Sequence, residues 1–111
     1  MNSQTLAPSS VARGPQAAIS TETRLKLYRS MQECRVLEKR AYDLFMQNLI
    51  KGTSHLALGQ EAIAAGFGLA MRPDDYTFCT YRGHNHTLVR GVSMTAILGE
   101  LMAVMRATTK G

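Results

Sequence analysis

The chain has 111 residues, 45% hydrophobic and 19% charged, with 13 Lys or Arg against 8 Asp or Glu and a formal net charge of +5. That describes one globular domain at most, with a modest core, and excludes a disordered or multidomain chain. No apolar run approaches the roughly 20 residues of a membrane span, and basic residues alternate with acids instead of forming a tract, which argues against membrane and nucleic-acid partners.

Residues 1–20 carry one Arg and no acid among Ala, Ser, Pro and Gly. They read as a flexible tail without the character of a secretion or organelle signal. A bacterial cytoplasmic protein is expected, ahead of a mitochondrial-matrix one. The cysteines, Cys34 and Cys79, have no C-x-x-C partner. Two buried, reduced thiols of an intracellular protein are expected, with a single long-range bridge as the alternative.

The first helix is predicted to start at Ser20 or Thr21, either able to cap it ahead of Glu22, and to stop at Gly52. Leu27, Tyr28, Met31, Cys34, Leu37, Ala41, Leu44, Phe45 and Leu49 form its apolar stripe, and Glu22 with Lys26 forms an i,i+4 pair. A short, partly apolar segment containing His55 follows. Gly59-Gln60-Glu61 then opens a helix from Ala62 to Met71, whose Ala64, Ala65, Gly66 and Gly68 permit close backbone approach. Arg72-Pro73-Asp74-Asp75 is a turn. Tyr76 to Tyr81 has the aromatic and Thr-rich character of a buried strand. A polar loop continues to Gly91, and Ser93 caps a third helix from Met94 to Met105. The order helix, helix, strand, loop, helix predicts the beginning of an α/β unit, with residues 21–111 as its domain.

Chemistry concentrates in Thr80-Tyr-Arg-Gly-His-Asn-His-Thr-Leu-Val-Arg-Gly91. In open α/β sheets ligands bind beyond the carboxyl ends of strands, where Arg82 would stand. Its guanidinium is a planar fork suited to a diphosphate or carboxylate, with Tyr81 adding a hydroxyl. The alternative is a surface Arg paired with Asp74 or Asp75. His84 and His86 would share one side of an extended segment. With His55 or Cys79 they could hold a metal, although hydrogen bonds that hold the loop fit the residue set better. His55 alone reads as a satisfied core histidine.

Its neighbours change that reading. Ser54-His55-Leu-Ala-Leu-Gly59-Gln60-Glu61-Ala62, followed 26 residues after the histidine by Tyr81-Arg82-Gly83-His84, resembles the alpha subunits of thiamine-diphosphate-dependent 2-oxo acid dehydrogenases. Pyruvate, acetoin and branched-chain enzymes make up that family. Leu27-Tyr28-Arg29-x-Met31, Arg35-x-x-Glu38, Leu44-Phe45, Arg90-Gly91, Glu100-Leu101 and Lys110-Gly111 extend the resemblance over about residues 24 to 111. It implies a thiamine-diphosphate-binding α/β fold, partly represented. Tyr81 and Arg82 would contact the cofactor, with His84 in support, and His55 would be the catalytic residue near the reacting end. It also implies a beta subunit in a heterotetramer, a lipoyl acyltransferase core and a small 2-oxo acid substrate, pyruvate foremost.

Two departures stand out. Asn85 occupies a position where the family commonly has glycine, and Asn is expected to keep the turn because it tolerates unusual backbone angles. Residues 103–106 also depart from a glycine-containing run. The family's Lys-Gly-Gly-Ser-Met-His-like and Gly-Asp-Gly segments are not among the 111 residues, so magnesium ligands are expected beyond residue 111. The chain is then expected to be an N-terminal portion, inactive alone. A short non-enzymatic interaction module derived from the same family is the alternative.

Overall fold

The structure, a computed structural model, describes residues 19–52 and 55–103. Four α-helices follow one another: α1 (Thr21–Met46), α2 (Glu61–Ala70), α3 (His84–Val89) and α4 (Met94–Leu101). The tail at residues 1–18 and the departures at residues 104–106 lie outside the described residues.

α1 begins where the sequence predicts. Ser20 is its N-cap, accepting a hydrogen bond from the Thr23 amide at 3.1 Å and so satisfying one otherwise free donor of the first turn. Glu22 pairs with Lys26 at 3.0 Å, and Arg29 pairs with Glu33 at 3.1 Å on the exposed face. Cys34, Leu37, Ala41 and Leu44 are buried, with Glu38 among them. The stripe is narrower than its spacing predicts, because Tyr28, Phe45 and Leu49 remain exposed. The helix also stops before Gly52. Asn48 takes a left-handed φ of 60°, its amide donates to the Phe45 carbonyl and the Leu49 amide to the Leu44 carbonyl. This paired closure ends a helix wherever a residue accepts positive φ, and Asn accepts it more readily than most.

Ile50 turns back onto Ala41 and Leu44 to form the core, joined by Leu56, Leu98, Leu101 and Met102. α4 is capped by Ser93, whose hydroxyl accepts from the Ala96 amide at 3.1 Å. Its last residue is Leu101, short of the predicted Met105. α1 packs on α2, α3 and α4, and α2 packs on α3.

The expected strand is not seen, and the α/β class is not confirmed, among the described residues, which are helical with no strand. Tyr76 to Tyr81 lacks regular structure, and Tyr76 and Phe78 are 88% and 95% exposed. Strand propensity expresses itself only through a neighbouring strand that accepts the backbone hydrogen bonds and covers the side chains. None of the described residues supplies one. The predicted polar loop is also partly helical, since α3 lies inside it. Beyond the last residue of α3, Gly91 adopts a φ of 104° and closes the helix while the Val92 amide reaches back to the Thr87 carbonyl at 3.3 Å.

Candidate functional site

Two segments separated by 26 positions meet at the candidate site. The first is shaped by Glu61. Its Oε1 accepts from the Gly59 amide at 3.1 Å and from Arg35 Nε of α1, so the turn before α2 is tied to the long helix. Gly59 adopts a φ of 88°, a conformation that favours glycine, and Gln60 closes the turn by donating to the Ala57 carbonyl. His55 and Leu56 are thereby delivered to the mouth of the second segment, Tyr81-Arg82.

Arg82 Nε donates to the Leu56 carbonyl at 3.1 Å, and Nη1 donates to the Tyr81 hydroxyl at 3.3 Å. The guanidinium carbon also lies 5.1 Å from the Tyr81 ring centre, within reach of a cation–π contact. On the other side Tyr81 packs against His55, ring centres 4.4 Å apart and tilted by 47°. His55, Tyr81 and Arg82 therefore form one lip, exposed at His55 and Tyr81 and half-buried at Arg82. A guanidinium, a phenol hydroxyl and an imidazole on one open edge form a donor set suited to an anionic, phosphate-bearing group.

Arg82 makes no ion pair with the 72–75 turn. Asp75 engages Arg72 instead, at 3.5 Å, and caps the Arg72 amide at 2.8 Å. The carbonyls of Arg72, Pro73 and Asp75 are taken by Arg90 at 3.1, 3.2 and 2.7 Å. Arg90 thus holds that turn against the end of α3. The sequence gives little sign of this role, because a guanidinium serving backbone carbonyls needs no charged partner at any fixed spacing.

His84 and His86 do not share a side. On the helix α3, residues two apart lie about 200° around the axis, so the pairing expected of an extended segment is lost. His84 lies close enough to Glu38 of α1 for its charge to stabilise that carboxylate. His86 lines a separate open cleft with Asp75, Cys79, Thr87 and Arg90. Among the described residues no three His, Cys, Asp or Glu side chains gather as a metal site would require. Asn85 does not serve a left-handed turn. It sits inside α3 with its side chain buried.

The charges around the lip are uneven. Glu61 titrates at about 2, lowered first by the Arg35 hydrogen bond and further by its backbone donors. Glu38 is pushed the other way, chiefly by burial, against the smaller opposing effects of the Ala57 amide and His84. Cys34 rises to about 11 because it is buried beside Glu61, Glu38 and Glu33, which makes it a poor nucleophile at neutral pH. Cys79 is exposed, contrary to expectation, and both cysteines are free. The exposure follows from the unpaired 76–81 segment. Of the pair Arg35-x-x-Glu38, only Arg35 finds an ionic partner, and that partner is Glu61.

The family model of the dehydrogenase E1 component matches residues 28–111, and the chain belongs to that family. It is 39% identical over 93 residues to the pyruvate dehydrogenase E1 component subunit alpha, somatic form, mitochondrial, of Homo sapiens, covering 84% of this chain and 24% of that protein. The testis-specific form of Rattus norvegicus is 37% identical over 101 residues, 89% of this chain and 26% of the relative. The subunit from Sminthopsis macroura is 37% identical over 95 residues, with 86% and 26% covered. The chain thus spans about a quarter of the length of the curated relatives it matches. No solved structure gives a significant match. The expectation of a bacterial cytoplasmic protein is overturned, because these relatives are mitochondrial proteins of animals. Counting basic residues over a 20-residue tail is a weaker guide to compartment than identity sustained over 93 residues.

Proposed function

We propose that this chain is the N-terminal part of the alpha subunit of a pyruvate dehydrogenase-type enzyme. That enzyme would oxidatively decarboxylate a 2-oxo acid, pyruvate foremost, and pass the acyl group to a lipoyl arm. The observation that carries the reading is the His55–Tyr81–Arg82 lip, assembled in space from the two sequence blocks that resemble the family. Thiamine diphosphate would lie against it, with magnesium held by residues outside the described ones. A beta subunit and the acyltransferase core would complete the assembly, in the mitochondrion that the relatives' names give.

Bound there, the cofactor supplies the nucleophile and the electron sink. This chain's residues position, neutralise charge and handle protons. Arg82 keeps its charge when water is excluded, and the Leu56 carbonyl fixes its orientation in advance. Tyr81 adds its hydroxyl to the same anion while its ring supports both neighbours. An imidazole nitrogen of His55 would donate to the substrate carboxylate or to a developing oxyanion, and could carry a proton during acyl transfer. His84 supports the lip from the first turn of α3.

The test is Arg82→Ala in the full-length chain assembled with its beta subunit. Losing charge-assisted bonds to a diphosphate should weaken thiamine diphosphate binding by about 10-fold to 100-fold. Arg82→Lys should recover part of that loss, because a point charge lacks the planar fork. Unchanged affinity for Arg82→Ala in a calorimetric titration overturns the anchoring role.

A further inference from the structure

Three polar side chains of the described residues are buried: Glu61, Glu38 and Asn85. Glu61 has its partners in Arg35 and the Gly59 amide. Glu38 and Asn85, each only 1% exposed, have none: neither Glu38 oxygen, and neither Oδ1 nor Nδ2 of Asn85, accepts or donates a hydrogen bond among the described residues. Buried polar groups are normally satisfied, and an unsatisfied one costs about 1–3 kcal/mol or more. Position 38 lies on the buried stripe of α1 beside Leu37 and Ala41. A Leu or Met there would fill the same volume without desolvating a carboxyl group. Packing alone therefore gives no reason for a glutamate.

Its location does. Leu56 packs on Ala41 and Leu44 of the same helix, α3 with His84 packs on α1, and both His84 and the backbone at Ala57 favour the charged form of Glu38. Ala57 adjoins Leu56, whose carbonyl holds Arg82, and His84 is two residues past Arg82. Asn85 follows on the same short helix, and α3 packs on α1. Glu38 thus stands behind both segments that make the lip.

We propose that Glu38 is a positioning residue for the His55–Tyr81–Arg82 lip, its polarity, together with that of Asn85, fixing the 56–57 segment and the start of α3 relative to each other. The inference rests on the reading of that lip as a cofactor site. A residue held at a cost to the fold and placed behind a site is the pattern of stability given up for function. Small displacements of positioning groups reduce binding and turnover strongly.

The experiment uses the full-length alpha chain assembled with its beta subunit, in four variants: Glu38→Met, Glu38→Gln, Asn85→Leu and, as reference, Arg82→Ala. Thermal unfolding of the cofactor-free assembly and thiamine diphosphate affinity are measured on each. Glu38→Met should leave the unfolding midpoint unchanged or raise it, while affinity falls about tenfold. Glu38→Gln, which keeps a polar group of nearly the same shape, should stay within about twofold of the native affinity. Native affinity in Glu38→Met overturns the proposal, and so does an equal loss in the Gln and Met variants. Should Glu38→Met fail to assemble, Asn85→Leu decides from the α3 side: a comparable loss supports the proposal and native affinity overturns it. A loss in Arg82→Ala beside native affinity in Glu38→Met overturns this inference alone. Native affinity in Arg82→Ala overturns the cofactor reading, and this inference with it.

Discussion

Two glutamates 23 positions apart, Glu38 and Glu61, show how much the surroundings of one carboxyl group decide. Glu61 accepts from Arg35 and titrates at about 2 instead of the ordinary 4.5. Its folded form binds a proton less readily than its unfolded form, so its contribution is complete above 4.5 and is lost as pH falls toward 2. Glu38 has the opposite sign. Burial raises its titration in the folded state, so its contribution is most favourable below 4.5 and is lost as pH rises through the raised value. Replacing Arg35 with Gln should therefore flatten the acid decline in the urea midpoint between pH 4.5 and 2. Glu38→Gln should leave that acid decline in place and remove the opposing trend. An Arg35→Gln variant with a native acid slope would show that the pair contributes nothing to stability.

Among the elements, α2 owes its place to small residues, though not equally. A Cβ added at Gly68 would lie 2.7 Å from Val89 Cβ and 2.6 Å from Val89 Cγ2, so the α2–α3 contact exists only because position 68 has no side chain. Gly66 has nothing within 4 Å of such a Cβ. Gly68→Ala should cost about 1–3 kcal/mol, because Val89 Cβ is fixed by its own backbone and the helices must move apart. Gly66→Ala should be neutral, or stabilising by up to about 1 kcal/mol, through helix propensity alone. Urea denaturation of the two variants separates these outcomes, and equal effects would contradict the close α2–α3 packing.

At the scale of the molecule, the four helices of the described residues enclose a small core while large apolar side chains stay outside it. On α2, Ile63 and Phe67 are 54% and 64% exposed. The lip is likewise open, with His55 and Tyr81 facing water. In that setting a guanidinium is screened by water, and among the described residues nothing encloses the lip in the low-dielectric surroundings that the proposed chemistry needs. The chain of 111 residues, given thiamine diphosphate, magnesium and pyruvate, should accordingly release no carbon dioxide. Sustained release from the purified chain would contradict this account of the site.

Local chemistry was legible in the amino-acid order. Ser20 and Ser93 announced their caps, Glu22 and Lys26 their pair, and Arg72-Pro73 the end of α2. These features depend on contacts within a few residues, which fixed spacings encode. The blocks around His55 and Tyr81-Arg82 pointed to the family, and the structure brings their side chains together. What the sequence could not settle are the relations between distant groups. Strand character in Tyr76–Tyr81 needs a neighbour to become a strand, and the helix that carries His84 and His86 turns them apart. Arg35 took Glu61 across 26 positions in preference to Glu38, which left Glu38 buried behind the lip. Periodicity assigns a residue to a face, but only packing decides what covers that face and which polar groups it encloses.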